Sequence, residues 1–309
     1  MTDSVRTMRA MCASDPDPTS LTSQRVPVPD PGPGELLVEV RATAITADEL
    51  TWPERWPAIP CHDLSGVVAA TGQGVTGWRP GDEVYGLVGF DRPGAAAEYV
   101  TAPAADLAPK PASVDHLAAA AVPLGALTAW QALHEHAGLQ PGQHVLVLGG
   151  AGGVGAYVVQ LAALAGARVT ATASARDLAF VAGLGARDVL DYTGRFDEHV
   201  RDVDVVIDPV GGATTARSWP VLRSDGILVA IAEEPDPGRG GRSDVRSVFF
   251  VVKPDGVQLR ELASLIDQGR LRPAVSVVFE LGALQQAFLA LRGERPPGKV
   301  IISVSRGTP

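Results

Sequence analysis

The sequence predicts an α/β protein with two domains: a doubly wound parallel sheet and a β-rich region that precedes it. From His144 onward, short apolar runs alternate with helical segments, which is the pattern of a parallel sheet covered by helices. Residues 1–110 instead contain short alternating segments with turn residues at close intervals. That pattern favours a barrel-like or partly open β module.

The stretch from 144 to 173 reads as strand, turn, helix, strand. Its first run, HVLVL, is apolar and bounded by glycines, as expected for a strand buried on both faces. The G-x-G-x-x-G turn then permits a tight bend, a close approach of backbone to a pyrophosphate, and close packing of helix on strand. We expect a helix over 154–165, whose first N–H groups and dipole favour an anion. The turn residues assigned to this role are Gly150, Gly152, Gly153, Val154 and Gly155.

This context, rather than the glycines alone, predicts dinucleotide binding over a purely structural turn. The end of the second strand, RVTATA, then selects the cofactor. NAD sites usually place an acid about 20 residues after the glycines, on the ribose 2′-OH. Here the chain has Ser174 and Arg176, with no acid before Asp177. A hydroxyl and a guanidinium suit a 2′-phosphate, so NADP(H) is predicted. The alternative is that Ser174 caps the next helix and Arg176 lies in its solvated first turn.

Composition excludes several classes of partner. A net charge of −9 and a pI near 5.2 argue against nucleic acid or an anionic membrane. The N-terminal residues lack the apolar run of a signal peptide, and no apolar stretch is long enough to span a membrane. Two cysteines, Cys12 and Cys61, are too few for a disulfide framework. We therefore expect a cytoplasmic protein that acts on a small molecule.

Domain boundaries follow from a change of composition. Composition and period change from residue 107 onward, and the alanine-rich segment from 118 to 139 is predicted to be helical on both sides of Pro123, which breaks it. We predict a dinucleotide-binding domain over 123–270 and a β-rich domain formed by 1–122 and 271–309. The tail joins the first domain because it has no glycine-rich turn of its own.

Strand ends within the parallel sheet give further candidates. VFFVV at 248–252 is predicted as the sixth strand. Ligands of such sheets bind beyond the carboxyl ends of the strands, so residues 208–212 and 231–233 should face the cofactor. Val210 and Ile231 belong to these segments.

The loop over 46–57, TADELTWPERWP, contains two prolines that prevent regular structure. It is expected to form a loop or a short helix over a pocket. Trp52 and Trp56 would be flat apolar walls there, or else ordinary core packing.

Several motifs together resemble the medium-chain dehydrogenase/reductase superfamily, in its zinc-independent, zeta-crystallin-like quinone oxidoreductase branch. They are IPCHDLSGVV (59–68), GDEVYGL (81–87), AAEYV (96–100), AAVPLGALTAWQAL (120–133), LGGAGGVG (148–155), DVVIDPVGG (204–212) and GKVIISV (298–304). The resemblance covers nearly the whole chain. It implies a GroES-like catalytic domain made of both chain ends, a Rossmann domain between them, and NADPH as the cofactor. It also implies that the cofactor is lined by Thr128, the turn glycines, Ser174, Arg176, Tyr192, and the backbone near Phe249 and Phe250.

The resemblance raises the question of zinc, because a catalytic zinc needs about three protein ligands. It places the superfamily's histidine ligand at His62, but its first cysteine position holds Thr46 and the region of the third ligand reads AVPL (121–124). The four-cysteine structural lobe is missing from the sequence. We therefore predict that no metal is bound and that His62 is a hydrogen-bonded residue at the floor of the substrate pocket.

Without a metal, the protein can polarise a carbonyl only with hydrogen bonds, which suits acceptors that are already electrophilic. The expected reaction is hydride transfer from NADPH to a quinone or an α,β-unsaturated carbonyl compound. Thr46 is the first candidate to contact the substrate oxygen. Glu49 and Asp63 are candidates for a proton relay, or else solvated loop carboxylates.

Two alternatives stay open: a zinc-dependent alcohol dehydrogenase, and a non-catalytic NADPH-binding sensor or structural protein. A homodimer is also expected. VFFVV at the sheet edge resembles the segment by which family members pair, and an exposed apolar edge invites pairing.

Overall fold

A computed structural model describes residues 6–236, 238, 241–293 and 296–304. The chain forms two compact units. The first consists of Met1–Leu124 and Lys253–Pro309, and the second of Gly125–Val252.

In chain order, the strands are β1 Thr7–Cys12, β2 Thr22–Pro27, β3 Glu35–Ile45, β4 Asp63–Thr71, β5 Glu83–Leu87, β6 Tyr99–Pro103, β7 Leu107–Pro109, β8 His144–Val147, β9 Arg168–Ala173, β10 Asp188–Asp191, β11 Val203–Asp208, β12 Leu222–Ala230, β13 Arg246–Phe249, β14 Val275–Glu280 and β15 Lys299–Ser303. The α-helices are α1 His116–Ala120, α2 Pro123–Trp130, α3 Gly155–Leu164, α4 Leu178–Gly183, α5 Phe196–His199, α6 Ala213–Ser218, α7 Gly256–Asp267 and α8 Leu284–Ala290. A π-helix covers Gln131–His136, and 3₁₀ turns cover Pro18–Ser20, Glu49–Thr51, Ala104–Asp106, Ala175–Asp177, Trp219–Val221 and Leu281–Ala283.

The second unit is built on a parallel sheet. In its described residues the strand order is β10-β9-β8-β11-β12-β13, and each of its strand pairs is parallel. Numbered from β8, this is the order 3-2-1-4-5-6 of dinucleotide-binding folds, in which the chain reverses direction beside the first strand. The predicted doubly wound sheet is confirmed, and the glycine-rich turn leaves β8 at that reversal.

The first unit is built on a largely antiparallel sheet. Its order is β14-β15-β3-β4-β5-β7, with β6 paired to β3, and β1 and β2 form a separate antiparallel pair. The long β3 lies between β15 and β4. Apolar side chains from β3, β4, β5, α8 and β15 fill its main core. The β-rich module predicted for residues 1–110 is therefore present, and the C-terminal strands complete it.

Two details differ from the sequence expectations. The sixth strand is Arg246–Phe249 rather than 248–252, because the last residue of β12, Ala230, pairs with Phe249 and leaves no partner beyond it. The division between the units falls at 252/253 rather than 270/271. Helix α7 belongs to the first unit, since a Cβ on Gly256 would lie only 2.4 Å from the carbonyl oxygen of Ala105. The other boundary falls at 124/125, two residues from the expected position.

Candidate active site

In the first unit, three strand ends bring three polar side chains together. Thr46 follows the last residue of β3, Asp63 is the first residue of β4, and Lys299 is the first residue of β15. Because β3 runs antiparallel to both neighbours, these three positions share one edge of the sheet. The Nζ atom of Lys299 lies 2.9 Å from Oδ2 of Asp63 and 3.0 Å from Oγ1 of Thr46.

The ion pair between Lys299 and Asp63 is buried. The side chains are 5% and 1% exposed. The second carboxylate oxygen of Asp63 accepts the backbone N–H of Leu124 at 2.7 Å, so both oxygens are engaged. Loss of either partner would leave the other charge buried and uncompensated. The pair is therefore costly to break.

Glu49 lies next to this pair, in the 3₁₀ turn that follows Thr46. Its Oε2 atom accepts the backbone N–H of Thr46 at 2.9 Å, and the residue is 2% exposed. Burial raises the pKa of Glu49 to about 7, against the opposing effects of the Thr46 amide and the Lys299 charge. At neutral pH this carboxyl group is therefore divided between its protonated and ionised forms.

The predicted pocket walls separate into two groups. His62 is buried, and its Nδ1 atom is 3.1 Å from the carbonyl oxygen of Val88; because a carbonyl only accepts, Nδ1 donates. Burial lowers the pKa of His62, which favours a neutral ring. Trp52 lies 6.3 Å from His62 and 5.2 Å from Phe90, measured between ring centroids. Trp56 instead packs against the main core.

The donor set at this edge does not fit a catalytic zinc ion. Across the described residues, no three His, Cys, Asp or Glu side chains come together in a way that could hold a metal. A hydroxyl stands at Thr46, and the ammonium group of Lys299 is a donor only. Burial, followed by the charge of Glu49, raises the pKa of the Cys61 thiol well above its usual value, whereas metal binding needs a thiolate.

The glycine-rich turn of the second unit is shaped by packing at two of its three motif positions. A Cβ on Gly155 would lie 2.1 Å from the carbonyl oxygen of Gly149. One on Gly150 would lie 3.0 Å from the side chains of Ala171 and Val181. A Cβ on Gly152 would meet only the Gly149 oxygen, at 3.3 Å. The space beside Gly152 is therefore open, as the close approach of a pyrophosphate to the backbone requires.

Backbone hydrogen bonds fix the turn beside β9. The amide of Gly149 donates to Oγ1 of Thr172 at 3.0 Å, and the amide of Gly150 donates to the carbonyl oxygen of Thr172 at 2.7 Å. The next helix, α3, begins at Gly155, so the amides of Gly153, Val154 and Gly155 precede or open its first turn. The first amides of a helix have no acceptor within it and form a ready site for an anion.

Val210 and Ile231 lie at the strand ends, as expected. A methyl group of Val210 is 2.9 Å from where a Cβ of Gly149 would stand, so this side chain covers the turn. The buried carboxylate of Asp208 positions it by accepting the amides of Val210 and Gly211, each at 2.9 Å. The amide of Ile231 donates to the carbonyl oxygen of Asp208 at 3.0 Å.

Ser174, Arg176 and Tyr192 gather at the end of β9. The amide of Tyr192 donates to the carbonyl oxygen of Ala173 at 3.0 Å. The hydroxyl of Ser174 donates to Oδ2 of Asp177 at 2.5 Å, and Nε of Arg176 is 3.6 Å from the same oxygen. Asp177 thus contacts both residues assigned to the 2′-phosphate, a role the sequence did not indicate.

The remaining cofactor candidates lie on separate elements. Thr128 is buried in α2, which packs on the turn because a Cβ on Gly125 would lie 2.2 Å from the carbonyl oxygen of Gly153. Phe249 is 39% exposed at the end of β13. The ring of Phe250 is buried against His136, with 4.2 Å between centroids.

Lys299 is the residue that sequence analysis missed. It appears in the motif GKVIISV, where it reads as an ordinary charged residue before a strand. The available signal was its position: it directly precedes four residues of a buried strand, where a charge needs a partner.

A parallel sheet in the order 3-2-1-4-5-6, with a glycine-rich turn where the chain reverses, is the arrangement of dinucleotide-binding proteins. The family profile described as "Alcohol dehydrogenase GroES-like domain" matches residues 32–112, and "Zinc-binding dehydrogenase" matches 184–302. The chain belongs to the medium-chain dehydrogenase/reductase superfamily, and the predicted resemblance is confirmed.

Its relatives include oxidoreductases of several kinds. The chain is 33% identical to a "Probable zinc-binding oxidoreductase, mitochondrial" of Arthroderma benhamiae, over 93% of this chain and 94% of the relative. It is 34% identical to the "2-methylene-furan-3-one reductase" of Solanum lycopersicum, over 90% and 74%. The solved quinone oxidoreductase of Coxiella burnetii superposes with a TM-score of 0.91 at 29% identity, covering 97% of this chain and 100% of that one. None of the helices in the described ranges has the length and apolar content needed to cross a bilayer.

Proposed function

We propose that this protein reduces quinones or α,β-unsaturated carbonyl compounds with NADPH and without a metal ion. The observation that carries the proposal is the pair formed by Thr46 and Lys299, in which a half-buried hydroxyl oxygen accepts from a buried ammonium group at 3.0 Å. A hydroxyl supported in this way donates to a carbonyl oxygen but polarises it less than a metal would. Acceptors that are already electrophilic are therefore favoured.

The other residues have supporting roles in this proposal. A bound nicotinamide dinucleotide supplies the hydride. Thr46 donates to the oxygen on which negative charge develops, and Glu49, with its pKa near 7, is the proton reservoir beside it. Asp63 anchors Lys299, since both of its oxygens already accept hydrogen bonds or an ion pair. Trp52 and His62 form a wall of the substrate pocket, and Trp56 has a packing role in the core.

The relatives support the same substrate class. One of them is a quinone oxidoreductase, and another is named as a 2-methylene-furan-3-one reductase, which acts on a conjugated enone. The name of a third refers to zinc, so metal dependence needs a direct test.

The test is NADPH oxidation across a panel of quinones, conjugated enones, aldehydes and simple alcohols, with and without a chelator. We expect turnover with quinones or enones and no effect of the chelator. Chelator-sensitive turnover of alcohols would contradict the proposal in favour of a zinc enzyme. Failure of every acceptor would favour a non-catalytic binding protein.

The preference for NADPH is tested at Arg176. We expect Arg176→Ala to reduce the ratio of kcat/KM for NADPH over NADH by about 30-fold, because one charge-assisted hydrogen bond to phosphate contributes about 2 kcal/mol. The matched control is Arg187→Ala, an exposed arginine of the same unit, which should leave the ratio unchanged. An unchanged ratio in Arg176→Ala would contradict the assignment of NADPH selection to Arg176.

We also propose a homodimer that pairs through β13. This strand ends the described sheet, and Val251 just after it is 57% exposed, so the edge is both unpaired and apolar. We expect Val251→Lys to halve the molar mass measured by light scattering. Val257→Lys, at a valine that is 62% exposed in the other unit, should leave the mass unchanged. A monomeric wild-type protein would end this proposal.

A cytoplasmic location is proposed on cysteine chemistry. Cys12 and Cys61 are both free and buried, as suits a compartment in which thiols stay reduced. Fractionation of the native cells tests it.

A further inference from the structure

We propose that Asp177 is a cofactor-specificity residue: acting through the Ser174 hydroxyl, it gives the site an acceptor for the ribose 2′-hydroxyl of NADH and limits the preference for NADPH. The inference rests on the proposed function, since it takes a nicotinamide dinucleotide to bind at the glycine-rich turn. It gives Ser174 and Arg176, which the sequence assigned together to a 2′-phosphate, opposite effects on the choice of cofactor.

The direction of one hydrogen bond is the first observation. The hydroxyl of Ser174 lies 2.5 Å from Oδ2 of Asp177. An ionised carboxylate only accepts, so the serine hydrogen is directed at Asp177. The Ser174 side chain makes no capping bond to the turn that follows it, and its oxygen is an acceptor for an incoming donor. A ribose 2′-hydroxyl offers such a donor, whereas a phosphate offers acceptor oxygens and needs donors.

The charge of Asp177 is the second observation. Its side chain is 11% exposed, and its Oδ2 atom lies 3.6 Å from Nε of Arg176. The carboxylate therefore offsets the guanidinium charge that attracts a phosphate, and it repels a second anion placed beside it. A neutral ribose hydroxyl meets no such repulsion. Because selectivity is the difference between two affinities, a repulsive group changes it as effectively as an attractive one.

Backbone contacts hold Asp177 beside the glycine-rich turn. Its amide donates to the carbonyl oxygen of Ser174 at 2.9 Å, within the 3₁₀ turn over Ala175–Asp177 that leads into α4. One turn further along α4, a methyl group of Val181 lies 3.0 Å from where a Cβ of Gly150 would stand. A carboxylate is therefore held beside the end of β9, where NAD-binding folds use one for the ribose.

Calorimetric titration with NADP⁺ and NAD⁺ tests the assignment without turnover, because the two differ only in the 2′-phosphate. We expect Asp177→Asn, which keeps the shape and removes the charge, to raise the ratio of NADP⁺ affinity to NAD⁺ affinity by about 10-fold. Since the ratio compares two ligands of one variant, a loss of folded protein does not change it. An unchanged or lowered ratio would overturn the proposal.

The matched control is Asp244→Asn. Asp244 also accepts a serine hydroxyl, that of Ser224 at 2.9 Å, and pairs with an arginine, Arg242. It precedes β13, so it lies at the amino-terminal edge of the parallel sheet, whereas ligands of such sheets bind beyond the carboxyl ends. The ratio should not change in this variant, and a rise equal to that of Asp177→Asn would contradict the proposal.

A second aspartate at the carboxyl-terminal edge distinguishes a local effect from a general one. Asp191 ends β10 opposite Ala173, but its Oδ1 atom accepts the amide and the hydroxyl of Thr193, at 2.9 and 2.8 Å. Asp191→Asn removes the same charge without altering the hydrogen bond of Ser174, and should change the ratio much less. An equal rise would show that any nearby charge has this effect, against a role for the pair of Ser174 and Asp177.

Ser174→Ala tests the direction of the hydrogen bond. If the serine oxygen accepts from the ribose, its removal should weaken NAD⁺ binding by about 5-fold and NADP⁺ binding less. A loss confined to NADP⁺ would show that the hydroxyl donates to the phosphate, and a loss shared equally would show a packing role. Either result would overturn the assignment.

Failure of the proposed function would have a different signature. Wild-type protein that binds both dinucleotides but reduces no acceptor would overturn the proposed function, and the affinity ratios would still decide the role of Asp177. Wild-type protein that binds neither dinucleotide would overturn both.

Discussion

Gly152→Ala is expected to weaken NADPH binding by about 1,000-fold, since loss of two hydrogen bonds to a charged pyrophosphate costs about 4 kcal/mol. The added methyl group would stand 3.3 Å from the nearest protein atom outside the adjoining residues, the Gly149 oxygen, so the fold accommodates it with a small adjustment. The methyl group would instead occupy the space through which a pyrophosphate reaches the turn amides. Fluorescence titration with NADPH measures the effect, and the melting temperature should change little.

Gly155→Ala is the matched comparison. Its Cβ would lie 2.1 Å from the carbonyl oxygen of Gly149, a backbone atom that cannot move without shifting the turn. We expect a loss of about 3 kcal/mol in stability, typical of severe overpacking, and a melting temperature roughly 10 °C lower. If Gly152→Ala bound NADPH like the wild type, the pyrophosphate would not lie against this turn.

The parallel sheet was predictable because its signals are local. The strand before Gly150, the glycine spacing and the strand that follows occupy one continuous stretch, and each is indicated by short-range pattern. The shorter β13 shows the limit of such patterns. VFFVV is apolar throughout, but strand length is set by the partner, and β12 ends opposite Phe249.

The first unit was predictable in class but not in detail. The strands β3, β4 and β5 lie within residues 1–110, where alternation and closely spaced turn residues predict a β module. The pairing of Thr7–Cys12 with Thr22–Pro27 had no clear signal, since both segments mix polar and apolar residues. Helix α7 was assigned to the wrong side of the boundary because its packing on Ala105 depends on contacts distant in sequence.

Some residues of the candidate site could be named from the sequence, and others are evident only in the structure. Asp63 could be named because it falls within a recognisable motif, and Thr46 and Glu49 because they lie in the loop over 46–57 that was expected beside the pocket. Lys299 lies 253 residues from Thr46, and only the pairing of β15 with β3 brings them together. Asp177 was set aside because it lies past the strand end, yet the 3₁₀ turn over Ala175–Asp177 returns its carboxylate to Ser174. Both omissions arise from side chains whose partners are determined by the backbone path rather than by spacing.

Glu49 is expected to make the protein less stable as the pH rises from about 4.5 to about 7. Burial raises the pKa of its carboxyl group from 4.5 to about 7, so the folded chain holds this proton more tightly than the unfolded chain. The resulting stabilisation is complete below the unfolded pKa and is lost as the pH rises through the folded one. Its size is about 3 kcal/mol, from the free energy that corresponds to each unit of pKa.

Glu49→Gln isolates this contribution, because an amide cannot titrate. We expect the apparent free energy of unfolding in urea to fall between pH 4.5 and 7 by about 3 kcal/mol more in the wild type than in the variant. Glu261→Gln, at an exposed carboxylate of α7, should retain the wild-type dependence. If the two stability curves against pH ran parallel for wild type and Glu49→Gln, burial would not raise the pKa of this carboxyl group.

If Glu49 is the proton reservoir, its titration should also affect the rate of the reaction. The wild-type kcat for an enone should then decline above pH 7, as the carboxyl group loses its proton. Glu49→Gln should lower kcat at pH 6 and remove that decline, while the chemistry of hydride addition stays the same. A wild-type profile that remains flat from pH 6 to 8 would instead indicate that protons come directly from water to the oxygen held by Thr46. The pH dependence of stability therefore tests whether burial raises the pKa of Glu49. The pH dependence of kcat tests separately whether the protonated carboxyl group takes part in the reaction.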